Sequence, residues 1–111
     1  MGRIAAIGVF LVAASPVAAD DWRPVADVHA ILADRTIDYD RAWQRFNASG
    51  KTLYDAGQPS WGNWAERGGQ YCSEWPPADG WTCYELEVST DGGRVRFVDE
   101  RGGTTEGVFR E

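Results

Sequence analysis

The sequence predicts a mainly β protein: a small antiparallel meander barrel of seven to eight strands with one short N-terminal helix. Three observations predict it. From Arg35 onward, clusters rich in Gly, Pro, Asn and Asp recur about every eight to twelve residues, the rhythm of short strands joined by turns. The segments between them alternate apolar and polar residues, as a strand with one buried face does. Only residues 22–34 space their apolar side chains for a helix.

The chain opens with a basic start, Met1-Gly2-Arg3, then an apolar run over 4–12 and the small-residue cleavage pattern Val17-Ala18-Ala19. This predicts an export signal of residues 1–19 and a single barrel-like domain over 20–111, periplasmic or secreted. The apolar run is about half of the roughly 20 residues a spanning helix needs. No later run is apolar enough, so no membrane span is expected after cleavage. The competing reading is a retained N-terminal anchor. The formal net charge is −6 over 111 residues, and loss of Arg3 makes it one unit more negative. That balance disfavours nucleic acid and anionic lipid and permits cationic partners. A chain this short builds a modest core, for which a covalent staple is useful.

Within 22–34, Pro24 suits a first helical turn, and Val25, Val28, His29 and Leu32 form one stripe. So short a helix persists only if docked. Strands follow at 35–39, 42–46, 51–55, 60–67, 70–75, 81–88, 94–99 and 104–110, linked so tightly that consecutive strands pair. Closure into a small barrel or flattened sandwich removes exposed edges, with the helix plugging or covering one end.

The hairpin over 70–88 is the most constrained piece. A loop of Pro76-Pro77-Ala78-Asp79 sets Trp75 against Gly80, Glu74 against Trp81, Ser73 against Thr82 and Cys72 against Cys83. Directly opposed cysteines can join across strands if they form the closer, non-hydrogen-bonded kind of pair. An exported chain meets oxidising conditions, and two cysteines allow one pairing. Alternation puts Tyr71, Trp75, Tyr84, Leu86 and Val88 on the core face and Cys72, Glu74, Trp81, Cys83, Glu85 and Glu87 on the other. A loop over 89–92 would then set Glu87 against Arg94 and Glu85 against Arg96 as surface ion pairs, with Val95 and Phe97 pointing inward.

Few residues invite chemistry. The stretch Asn47-Ala48-Ser49-Gly50-Lys51-Thr52 ends like a phosphate loop, but Arg45 stands where the first Gly belongs. His29 is the single His and sits on the apolar stripe, which points to a buried or half-buried packing role. With no second His and both Cys paired, no transition-metal site is expected, and no cofactor. The carboxylate pairs Asp38/Asp40 and Glu85/Glu87 are the sole basis for an enzyme reading. Arginine neighbours and a small barrel argue against it, so no catalysis is expected. Asp91-Gly92-Gly93 and Asp99-Glu100 match no calcium loop and read as turns.

The stretches Ser49-Gly50-Lys51-Thr52-Leu53-Tyr54, Trp61-Gly62-x-Trp64 and Tyr71-Cys72-Ser73-x-Trp75-Pro76-Pro77, with Trp81-x-Cys83-Tyr84, cover most of the chain past the signal. In them the chain resembles a family of small exported proteobacterial two-Cys β proteins. Some members carry the label dihydrodipicolinate reductase. That activity does not transfer, because the chain has neither the dinucleotide-binding glycine fingerprint nor the length of such a fold. Ser49, Gly50 and Tyr54 also give a weaker similarity to the periplasmic C-type lysozyme inhibitors. That similarity implies a disulfide-bearing eight-stranded barrel that blocks a lysozyme cleft, where negative charge would speed encounter with a basic enzyme.

Six Trp is a surplus for this length. Trp serves cores, but also binding surfaces. The functional expectation is a small periplasmic binding or interaction module with an aromatic surface on a disulfide-rigidified hairpin. Its contact residues would be Trp81, Trp75, Trp61, Trp64 and Tyr54, and its partner a glycan or a periplasmic protein. The competitor is a structural envelope protein whose Trp are all packed.

Overall fold

A computed structural model of the chain describes residues 21–111; the export-signal reading of 1–19 lies outside the described residues. Turns cut the described chain into β1 (Trp22–Pro24), α1 (Val28–Leu32), β2 (Arg35–Asp38), β3 (Trp43–Phe46), β4 (Lys51–Asp55), β5 (Pro59–Arg67), β6 (Gln70–Glu74), β7 (Thr82–Ser89), β8 (Arg94–Val98) and β9 (Thr104–Phe109). From β2 to β9 each strand pairs antiparallel with its chain neighbour. β9 then returns to β2, with Ile37 facing Phe109 and Asp38 facing Val108, so eight strands close a barrel. β1 is one extra strand on the outside of β7.

The helix expected over 22–34 is thus a correction: only Val28–Leu32 is helical, and its intended first turn is β1. The reason is non-local. β7 has eight residues and β6 five, so β7 overhangs the β5–β6 turn with an unpaired edge. Trp22, Arg23 and Pro24 cover that edge opposite Ser89, Val88 and Glu87, and Val25 N–H donates to Leu86 O at 2.9 Å. Pro24 sits at the end of this edge strand, a position proline tolerates. Asp27 starts the helix instead, its Oδ1 accepting from Ala30 N–H at 3.1 Å.

Val28 and Leu32, one turn apart, are fully buried and plug one end of the barrel. His29 corrects a second expectation: it is exposed, not buried. In a five-residue helix the buried stripe is one i, i+4 pair, and His29 lies about 100° around from it. Its ring covers Trp64 from outside, stacked at 5.4 Å and 19°.

The hairpin register holds as expected, with Tyr71 against Tyr84, Cys72 against Cys83 and Ser73 against Thr82. Cys72 and Cys83 form a disulfide with Cα atoms 4.0 Å apart, the close kind of cross-strand pair. The β7–β8 register is a third correction: Glu87 faces Arg96 and Glu85 faces Val98, two residues from the expected pairing. Ser89 holds the observed register. Its Oγ donates to Asp91 Oδ1 at 2.6 Å and accepts from Arg94 N–H at 2.9 Å, which sets Ser89 against Arg94 and moves the turn to 90–93. A shift of two leaves every side chain on its expected face.

The interior is divided along the barrel axis. Ile37, Phe46, Trp64, Leu86, Val95 and Phe109 pack with Val28 and Leu32 toward the plugged end. Polar Gln44, Thr52 and Ser73 are buried as well. In a meander, alternate connections gather at opposite ends. The β2–β3, β4–β5, β6–β7 and β8–β9 connections therefore rim the end away from the helix, and that end is open.

Candidate functional site

The open end holds a cavity of about 430 Å³ lined by side chains from β3 to β9 and the β2–β3 and β6–β7 connections. Each comes from an inward strand position or a connection near the open rim. Tyr39 follows β2, Gln44 opens β3, Tyr54 closes β4 and Ser60 opens β5. Ser73 lies near the end of β6 and Trp75 just follows it, Tyr84 stands near the start of β7, and Phe97 and Thr105 flank the β8–β9 turn. Sheet alternation points them all inward.

Aromatic rings line this cup in a contiguous arc. Trp75 meets Tyr54 edge-on at 6.2 Å, Tyr54 meets Tyr39 at 6.3 Å, Tyr39 meets Phe97 at 6.4 Å and Phe97 meets Tyr84 at 6.4 Å. These are ordinary separations for favourable aromatic pairs. The Trp75 ring is seated over Gly62. A Cβ added at Gly62 would lie 2.5 Å from Trp75 Cε3 and 2.7 Å from the Glu74 carbonyl oxygen, so no larger residue fits beneath it.

The floor is a hydrogen-bonded network. Tyr39 OH donates to Gln44 Oε1 at 2.8 Å, and Gln44 Nε2 donates to Thr52 Oγ1 at 3.0 Å and Tyr71 OH at 3.3 Å. Thr52 Oγ1–H donates to the Arg45 carbonyl oxygen at 2.8 Å. Gln44 is thus held by both ends of its amide, which fixes the neighbouring rings. Burial pushes the Tyr39 phenol far above its ordinary pKa, and burial likewise raises Tyr71. Both stay neutral at physiological pH. Every side chain lining the cup is uncharged, in a chain of which 25% is charged.

The sequence-predicted contact residues separate. Trp75 and Tyr54 come together in the cup. Trp64 is only 3% exposed, its Nε1–H donating to Asn47 O at 2.9 Å beneath His29, so it offers no surface. Trp61 is 56% exposed on the outer face of β5. Trp81 is half-buried on the outside, with the Arg67 guanidinium 4.0 Å above its ring. Trp22 lies under Arg94 and Arg96, and Trp43 under Arg110. Ser49 and Gly50 sit in the β3–β4 turn at the plugged end, while Tyr54 points into the cup at the other end of β4.

The carboxylates are engaged by neighbours. Arg110 grips Asp38 through Nε and Nη2, which holds the Asp38 carboxyl below its usual range. Glu87 pairs with Arg96 at 2.6 Å, and Glu85 accepts from Gln70 Nε2 at 2.8 Å. Asp91 and Asp99 each accept backbone N–H groups of their own turns. Among the described residues no cluster of three His, Cys, Asp or Glu is placed to hold a metal ion.

Sequence reasoning missed Tyr39, Gln44, Ser60, Ser73 and Thr105, and placed Tyr84 and Phe97 only in the core. Alternation gives the inward face; the end of the barrel follows only from closure, since every one of these residues lies beside a connection at the same rim. No family model, curated protein or solved structure matches the chain. What the cup does must therefore be read from its own chemistry.

Proposed function

We propose that the protein is a small binding module, exported to the periplasm or beyond, whose contact surface is the aromatic cup at the open end of the barrel. One observation carries this: a contiguous arc of five rings lines an open, uncharged cavity of about 430 Å³, while the other end of the same barrel is plugged. A barrel of eight strands has an interior just wide enough to be filled by side chains or to hold one small ligand. Aromatic surface left facing an open cavity forgoes burial worth roughly 25 cal/mol per Å², which a ligand recovers. The volume lies at the lower end of the range for small-molecule pockets. The disulfide supports export, since such bonds persist in oxidising compartments. The hairpin it staples carries Trp75 on one strand and Tyr84 on the other, so rigidity there is rigidity of the cup wall.

The test is native mass spectrometry of the full chain expressed for export and purified without denaturant, beside a Thr105→Trp variant that fills the cup from its exposed rim. A small-molecule adduct on the wild type, absent from the folded variant, supports the reading. An adduct equally retained by the variant overturns it.

A structural role without a ligand is favoured by one observation: arginines stack on Trp22, Trp43 and Trp81 outside the barrel, so half of the Trp surplus has a packing explanation. Trp75 is not among them.

A further inference from the structure

We infer that the cup takes a neutral ligand that has a flat apolar face and a hydroxyl-bearing edge, such as a glycoside ring, and rejects ionised ligands. The inference rests on the cup being a binding site and names its ligand class. Three observations carry it.

The first is charge. The lining is Tyr, Trp, Phe, Gln, Ser and Thr throughout, and burial keeps the Tyr39 and Tyr71 phenols protonated. A carboxylate or phosphate entering the cup would lose hydration and meet no cation; an ammonium would meet no anion, only the attraction of the ring faces. Desolvating an unpaired charge is far costlier than desolvating a hydroxyl.

The second is unspent hydrogen-bonding capacity. Tyr39 OH and Gln44 are committed to the floor network. Among the described residues the Tyr54, Ser60, Tyr84 and Thr105 hydroxyls make no hydrogen bond to another protein group, yet all four line the cavity. Each can donate and accept, and each can rotate to suit. A quaternary ammonium uses none of them and would strip their water uncompensated. A polyhydroxylated ring replaces that water group for group.

The third is shape. Trp75 and Tyr54 meet at 74°, so one ring presents its edge to the other and they cannot both be covered by stacking between themselves. Gly62 backs the Trp75 ring and fixes its plane. The result is a wall that accepts the C–H face of a flat ring, with the hydroxyl groups set around it.

The experiment is ligand-observed saturation-transfer NMR on the folded, oxidised full chain with three probes: phenyl β-D-glucoside, its anionic counterpart phenyl β-D-glucuronide, and choline. Each is also run against Thr105→Trp. The expected result is transfer to the glucoside, at least tenfold weaker binding of the glucuronide and of choline, and loss of the glucoside signal in the variant. Equal or tighter binding of the glucuronide or of choline, abolished by the variant, overturns the ligand class and leaves the cup as a site. Absence of transfer to all three at millimolar concentration, or transfer unaffected by the variant, overturns the cup itself.

Discussion

Gly62→Ala is the sharpest perturbation the cup allows. Gly62 has no left-handed backbone requirement, so alanine is conformationally free to replace it. On the unfolded side the change should help by about 0.4–1 kcal/mol, because alanine restricts the denatured chain. The folded side decides the sign. The new methyl would stand 2.5 Å from Trp75 Cε3, 2.8 Å from Cδ2 and 2.7 Å from the Glu74 carbonyl oxygen. The ring can swing, but the carbonyl belongs to β6, so the β5–β6 pair must also part. Overpacking of this kind costs about 1–3 kcal/mol, leaving a net loss of about 0–2.6 kcal/mol, centred on about 1.3 kcal/mol, after the unfolded-state gain. With a urea dependence of about 1 kcal/mol/M for a small domain, the central value lowers the midpoint by about 1.3 M. Urea unfolding followed by circular dichroism reads it. Adding Trp75→Leu should recover part of the loss, since the ring is one of two obstructions, and the double-mutant cycle gives that share. A Gly62→Ala protein as stable as the wild type, with no coupling to Trp75, would refute the seating of Trp75 on Gly62 and with it the fixed wall of the cup.

Other consequences are simpler to state. Replacing Cys72 and Cys83 together by Ala should cost about 2–3 kcal/mol, the loop-closure value for so short a loop, with the circular dichroism spectrum retained; loss of all folding would show that the staple is doing more than restricting the unfolded chain. Leu32→Ala opens the plugged end and should cost about 2–5 kcal/mol by thermal or urea unfolding, while leaving cup binding in place. Asp38 is held below its ordinary pKa by Arg110 across the β2–β9 seam. Its stabilisation is therefore fully present above the unfolded carboxyl pKa of about 3.9 and is lost as pH falls through the lower folded value. Arg110→Gln should accordingly lower stability at neutral pH, and by progressively less as pH falls below the unfolded carboxyl pKa; a loss equal at neutral and acid pH would assign the Arg110 effect to its stacking on Trp43.

What was legible in the sequence was local. Turn chemistry at Asn47-Ala48-Ser49-Gly50, Gly68-Gly69 and Gly102-Gly103 marks strand ends to within about a residue, because those breaks depend on a few adjacent residues. The Cys72–Cys83 hairpin was legible because loop length and cysteine spacing agree on one register. Where distant parts of the chain compete, local pattern was insufficient. The stripe Val25, Val28, His29 and Leu32 suits a helix, yet the overhanging edge of β7 recruits its first residues as β1. The β7–β8 register is held by the Ser89 hydroxyl, which a count of turn residues does not weigh. The cup is the extreme case. Its lining comes from seven strands and two connections, each adding one or two residues. Surplus Trp pointed to an aromatic surface, and alternation put Trp75 and Trp81 on opposite faces, but neither could tell an inward Trp75 packed in the core from one facing a cavity.

The measurement that tests the cup most directly uses the Trp residues against one another. Their indole N–H signals in a two-dimensional ¹⁵N spectrum report separate places: Trp75 in the cup, Trp64 in the core, Trp61 and Trp81 outside. Titration with phenyl β-D-glucoside should move the Trp75 signal and leave those of Trp61 and Trp81 in place. Movement of Trp61 or Trp81 with Trp75 unchanged would put the binding surface on the outer wall of the barrel and contradict the cup.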